Sequence, residues 1–180
     1  DFDKTPSSRW AVVAEHGVDW LKTPCGDRFY SIGVNILDGG DGEHAVVGAA
    51  YTGYDWRKFA PTIAAWSDDT RRRLTAWGFN TIGDWGDPEV SAMHRLPYTV
   101  PLSPEGEYAK VSSGEDWWGP MPDPFDPRFA EAADKMAQSA AARFRGDPWL
   151  IGYFVDNELS WGRGFPATPQ EYYALAVNAL

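Results

Sequence analysis

The sequence predicts an α/β fold built on a parallel sheet, and three observations carry that prediction. First, Leu150-Ile151-Gly152-Tyr153-Phe154-Val155 is a continuous apolar run. Such a run, bounded by turn residues, is the pattern of a strand covered on both faces. Second, strand-like apolar segments alternate with segments of helical periodicity, the mark of βα units. Third, three of these strands release polar residues at their C-terminal ends: Asn35, Asp84, and Asp156-Asn157-Glu158.

Residues 1–28 read as a β-hairpin lead-in. Trp10-Ala11-Val12-Val13 and Asp19-Trp20-Leu21 are short apolar runs, and Thr23-Pro24-Cys25-Gly26-Asp27 is turn chemistry. Phe29-Tyr30-Ser31-Ile32-Gly33-Val34-Asn35 is the first strand of the main sheet. Its Asn35 either faces a ligand or caps its own turn. A long connection follows, from Ile36 to Ala65. Loops of that length are commonly functional, and Tyr51, Tyr54 and Trp56 give this one an aromatic wall. Its segment from Asp38 to His44 lacks the spacing of a helix–loop–helix calcium site.

Ser67-Asp68-Asp69 is an N-cap followed by acids, so a helix is expected from there. Trp66, Thr70, Leu74 and Trp77 recur at helical spacing, and Gly78 ends the helix. Phe79–Gly83 is the second strand, delivering Asp84 and Trp85. Glu89–Met93 is a short helix. Tyr98–Leu102 is the third strand, expected to end near Pro101, which has no N–H for a ladder. A second long loop, Ser103–Phe125, is rich in acids and holds Trp117 and Trp118.

Asp126-Pro127 opens the clearest helix, with an aspartate cap and proline at the first position. Phe129, Ala132, Ala133, Met136, Ala140 and Phe144 lie on one face of it. Gly146-Asp147-Pro148 then leads into the fourth strand, which ends at Asp156-Asn157-Glu158, with Trp161 just beyond. Thr168-Pro169-Gln170-Glu171 is a capping box opening a last helix. Four such βα units make half of a (β/α)8 TIM barrel. Residues 29–180 are therefore expected to be the first half of a longer protein's barrel domain. The alternative is a complete four-stranded α/β domain.

Composition narrows the partners. The chain has 180 residues and a net charge of −10, which argues against nucleic acid and anionic membranes. A neutral substrate suits it better. A lone cysteine, Cys25, excludes an intrachain disulfide framework. There is no run long enough to span a membrane and no signal-peptide pattern. Tryptophan is the commonest aromatic, at ten residues. Most of these belong in cores, but indole faces also stack on sugar rings.

Gly152-Tyr153-Phe154-Val155-Asp156-Asn157-Glu158, followed by Ser160-Trp161-Gly162, resembles the fourth-strand motif of retaining glycoside hydrolases with the (β/α)8 fold. The form is most similar to the β-agarase family and less closely to the β-galactosidases of the same clan. Phe29–Asn35 and the Gly78-Phe79-Asn80 join resemble the clan as well. The resemblance implies a β-linked galactan as substrate, no cofactor and no metal. It implies Glu158 as general acid/base, with Asn157 bonding a sugar hydroxyl. A glutamate on the seventh strand, beyond this chain, would be the nucleophile. The chain alone is then expected to be inactive, and the protein to be extracellular or periplasmic. Asn35, Asp84, Trp85, Trp117, Trp118 and Trp161 complete the expected substrate contacts. Two other classes remain: a non-catalytic carbohydrate-binding barrel, and a metal-dependent enzyme using Asp84, Asp156 and Glu158.

Overall fold

The computed structural model describes residues 9–40, 54–112 and 119–160. Its contacts divide the chain into two compact units. The first comprises residues up to Pro101 together with Gly146–Phe154; the second comprises Leu102–Arg145 and the residues from Val155 onward.

The first unit opens with three antiparallel strands, β1 (Ala11–Glu15), β2 (Val18–Lys22) and β3 (Arg28–Phe29). The β1–β2 turn is the two-residue loop His16-Gly17, and both residues have positive φ. That geometry matches the twist of the strands. Trp10 ties this lead-in to the turn before the strand Leu150–Val155: its Nε1 donates to Pro148 O at 2.9 Å, and its ring meets Phe29 edge-on.

The main sheet has the order β4 (Gly33–Val34), β5 (Thr81–Ile82), β6 (Tyr98–Leu102), β9 (Leu150–Val155), with β4–β5 and β5–β6 parallel. The expected strand Phe29–Asn35 is therefore two strands. Phe29 pairs with Leu21 in the lead-in, and only Gly33–Val34 joins the main sheet. Helix α1 (Ile63–Ala76) begins earlier than Ser67. Thr62 is extended, and its hydroxyl accepts from Ala65 N at 3.1 Å. Ser67 is buried within the helix instead. Trp66, Thr70 and Leu74 face the core as expected, but Trp77 caps the C-terminus and is exposed. Helix α2 (Pro88–Ala92) is capped by Asp87.

Pro101 lies inside β6, one residue before its end. Tyr98 N donates to Trp149 O, on the β9 side. Alternation along the strand then turns the N position of Pro101 toward β5, which ends at Ile82. No ladder bond is lost.

β9 departs furthest from expectation. It was to be covered on both faces, yet Tyr153, Phe154 and Val155 are 41%, 51% and 62% exposed. β9 is an edge strand with no further strand beside it among the described residues, and the space over Gly152 is open, so its C-terminal half lacks neighbours.

In the second unit, the expected long loop Ser103–Phe125 contains a short antiparallel pair, β7 (Lys110–Val111) and β8 (Met121–Pro122). Helix α3 (Pro127–Phe144) starts where the sequence places it. Ala132 and Ala140 are buried, and Phe129, Ala133, Met136 and Phe144 are half-buried, so the predicted face is the packed one. The cap residue Asp126 also accepts from Ala109 N at 2.7 Å and pairs with Arg128. The Arg128 side chain, and then the Ala109 and Arg128 amides, hold its carboxyl well below the usual carboxylate range. The last expected helix lies outside the described residues, as does Tyr51.

Candidate functional site

Asn35, Asp84 and Trp85 are brought together by a lacing of hydrogen bonds past the ends of β4 and β5. Gly83 N donates to Val34 O at 2.7 Å, Asp84 N to the Asn35 side-chain oxygen at 3.0 Å, and Ile36 N to Asp84 O at 2.9 Å. Asp87 N then reaches Leu37 O at 2.9 Å. Asn35 neither caps its own turn nor hangs free, since its amide oxygen latches one strand end to the next. The latch requires glycine at 83, where a Cβ would lie 2.1 Å from the Asn35 oxygen. Asp84 is 5% exposed, and its carboxylate accepts from Trp85 N at 3.0 Å.

In the second unit, Asp156, Asn157 and Glu158 leave β9 and line a shallow, open depression of about 260 Å³ together with Val155 and Leu159. Asp156 N donates to Leu102 O at 2.8 Å, which fixes the point where the chain turns. Asn157 and Glu158 are exposed, while Asp156 is half-buried. Tyr108, which the sequence reading passed over, is held by a 2.6 Å bond from its hydroxyl to Pro104 O and by Phe129 against its ring. Burial, then the charges of Asp156 and Glu105, raise its phenol above the ordinary value. Gly106 lets the chain pass close beside it: a Cβ there would lie 3.4 Å from the Tyr108 ring and 3.2 Å from Ala132. Ser160 is buried, and its hydroxyl has no partner among the described residues.

Backbone strain marks both places. Among the described residues, six non-glycine positions have positive φ. Four of them, Ile36, Trp85, Asp156 and Glu158, stand within three residues of the C-terminal ends of β4, β5 and β9. Such conformations are costly for L-residues and persist where the surrounding structure enforces them, commonly at functional sites.

Trp117, Trp118 and Trp161 lie outside the described residues. Among the described residues, no three His, Cys, Asp or Glu side chains are grouped to hold a metal, and no helix is long and apolar enough to cross a membrane.

No family model matches the chain. It is 38% identical over 129 residues to β-agarase B and 42% identical over 101 residues to β-agarase A, both of Vibrio sp. (strain JT0107). Those matches take in 69% and 54% of this chain but 13% and 10% of the relatives. Among solved structures, an agarase, AgWH50C, aligns over 96% of this chain and 32% of its own, with a TM-score of 0.74 at 25% identity. An exo-β-agarase aligns over 98% of this chain and 33% of its own, with a TM-score of 0.77 at 22% identity.

Proposed function

We propose, from this chain's kinship with the β-agarase family of glycosidases, that the whole protein hydrolyses an agarose-like β-linked galactan by a retaining, two-carboxylate mechanism. The observation that carries the reading is the backbone at Asp156-Asn157-Glu158. Two carboxylate residues in left-handed conformations bracket an asparagine, at the point where a parallel-sheet strand releases its chain. Strain of that kind fixes the direction in which a side chain leaves the backbone.

Glu158 protonates the glycosidic oxygen as the leaving group departs, then deprotonates the water that releases the product. Asn157 hydrogen-bonds a hydroxyl of the sugar being cleaved. The nucleophile is a glutamate contributed from beyond this chain, about 5–5.5 Å from Glu158 as retention requires. Asn35, Asp84 and Trp85 form a second, laced set of contacts, and Trp117, Trp118 and Trp161 add stacking surfaces. The four-stranded sheet is the first half of a (β/α)8 barrel. The exposed apolar flank of β9 supports that.

Reducing-sugar release from agarose, other β-galactans and β-glucans, using the full-length protein and its Glu158→Gln variant, tests the reading. Agarose hydrolysis with a fall of about 10²–10⁴-fold in the variant is the expected result. An active parent whose variant keeps its rate would remove Glu158 from the acid/base role. A folded parent inert on every substrate would favour a carbohydrate-binding barrel.

A further inference from the structure

The loop between β4 and α1 holds an aromatic pair that neither strand-end cluster uses. Tyr54 and Phe59 stack with ring centroids 5.2 Å apart and planes 13° apart. Tyr54 is the anchored member. Its hydroxyl accepts from Trp66 Nε1 at 2.6 Å, and its backbone passes so close to Gly40 that a Cβ there would lie 2.6 Å from Tyr54 O. Phe59 is the presented member, 66% exposed despite the stack. One ring face rests on tyrosine while much of the residue meets solvent.

The backbone beneath Phe59 is equally fixed. Asp55 caps the 3-10 turn Trp56–Lys58, and Phe59 closes it, donating N–H to Trp56 O at 2.9 Å. Asp55 and Arg57 on this turn form a two-bond fork, Nε–Oδ1 and Nη2–Oδ2 both 2.9 Å. Trp56 N donates to Gly39 O. Two residues before Gly39, Leu37 O accepts from Asp87 N, so the loop that carries Phe59 is laced to the loop that carries Asp84 and Trp85.

Single exposed phenylalanines are common on protein surfaces; what distinguishes Phe59 is the anchored ring stacked behind it. A ring pre-set by a tyrosine behind it, on a turn that also bears a planar ion pair, is suited to a ligand with one apolar face and hydroxyls at its rim. We propose that Phe59, backed by Tyr54, is an accessory sugar-stacking platform that holds a further pyranose ring of the polymer. This rests on the galactan reading above and extends it to chain length: the platform rewards polymers over short fragments.

The test uses the full-length protein. Retention on agarose beads is measured in the Glu158→Gln background for the parent, Phe59→Ala, Phe59→Trp and Phe125→Ala. Phe125 is another exposed phenylalanine, outside this loop, and controls for the loss of any surface ring. Loss of one stacking ring should weaken retention by about 3- to 10-fold in Phe59→Ala. Phe59→Trp should restore it, and Phe125→Ala should match the parent. Equal retention by Phe59→Ala and the parent would overturn the platform while leaving the agarase reading intact. A full-length protein that neither hydrolyses nor binds agarose would remove both.

Discussion

At the residue scale, Asp147 shows how one carboxylate holds several pieces of the sheet's lower edge. It accepts from the Tyr98 hydroxyl at 2.7 Å and from Trp149 N at 2.8 Å, and it lies 3.0 Å from His94 Nε2. His94 stacks on Trp149 with nearly parallel planes. Burial pushes the Asp147 carboxyl up, but the Tyr98, Trp149 and His94 bonds outweigh it and leave the group below its ordinary value. A carboxyl lowered in the folded state adds stability that is present above the ordinary aspartate range and is lost as pH falls through the folded value. Asp147→Asn should therefore cost about 1–2 kcal/mol near neutral pH. The gap in melting temperature from the parent should narrow below pH ~4. A gap that widens in acid would contradict this reading. None of it was visible in the sequence, where Gly146-Asp147-Pro148 registers only as a helix stop. The left-handed backbones at Ile36, Trp85 and Glu158 were equally hidden. Glycine, and less often asparagine or aspartate, signal positive φ, and of the four strand-end positions only Asp156 carries such a residue.

Among the elements, legibility followed the locality of the signal. The start of α3 was readable because the Asp126 cap and Pro127 act within a single turn. α1 was misplaced because Ser67-Asp68-Asp69 is as good a cap as Thr62. What decides is the extended backbone at Thr62, which sets the start a turn earlier. Removing that cap by Thr62→Ala should destabilise the protein by about 1 kcal/mol, read as a lower urea midpoint. Ser67→Ala, inside the helix and without a capping role, should not reproduce that loss through the helix end. An equal drop for both, with loss of helical signal at the α1 N-terminus in both, would return the cap to Ser67. Pro101 was legible for the same reason as the start of α3: a residue with no N–H marks where a ladder stops, and β6 ends one residue beyond it.

For the whole molecule, the α/β class was legible from alternation alone, whereas burial was not. β9 reads as a covered strand because its composition suits the environment it is built for, yet Tyr153, Phe154 and Val155 stand exposed beside the described strands. Exposed apolar edge strands pair with whatever strand they meet. The 180-residue chain by itself should therefore self-associate in a concentration-dependent way, seen by light scattering, and should release no sugar from agarose. Phe154→Lys should reduce that association, and a monodisperse parent at high concentration would count against the open edge. The lacing between the loops after β4 and β5 has a different consequence. Ile36 N and Asp87 N sit in segments with no repeating structure, but their bonds to Asp84 O and Leu37 O open only if both loops part together. Those two amides should keep their protons against solvent deuterium as long as strand amides do, so that these two loops and the strands they leave breathe as one body.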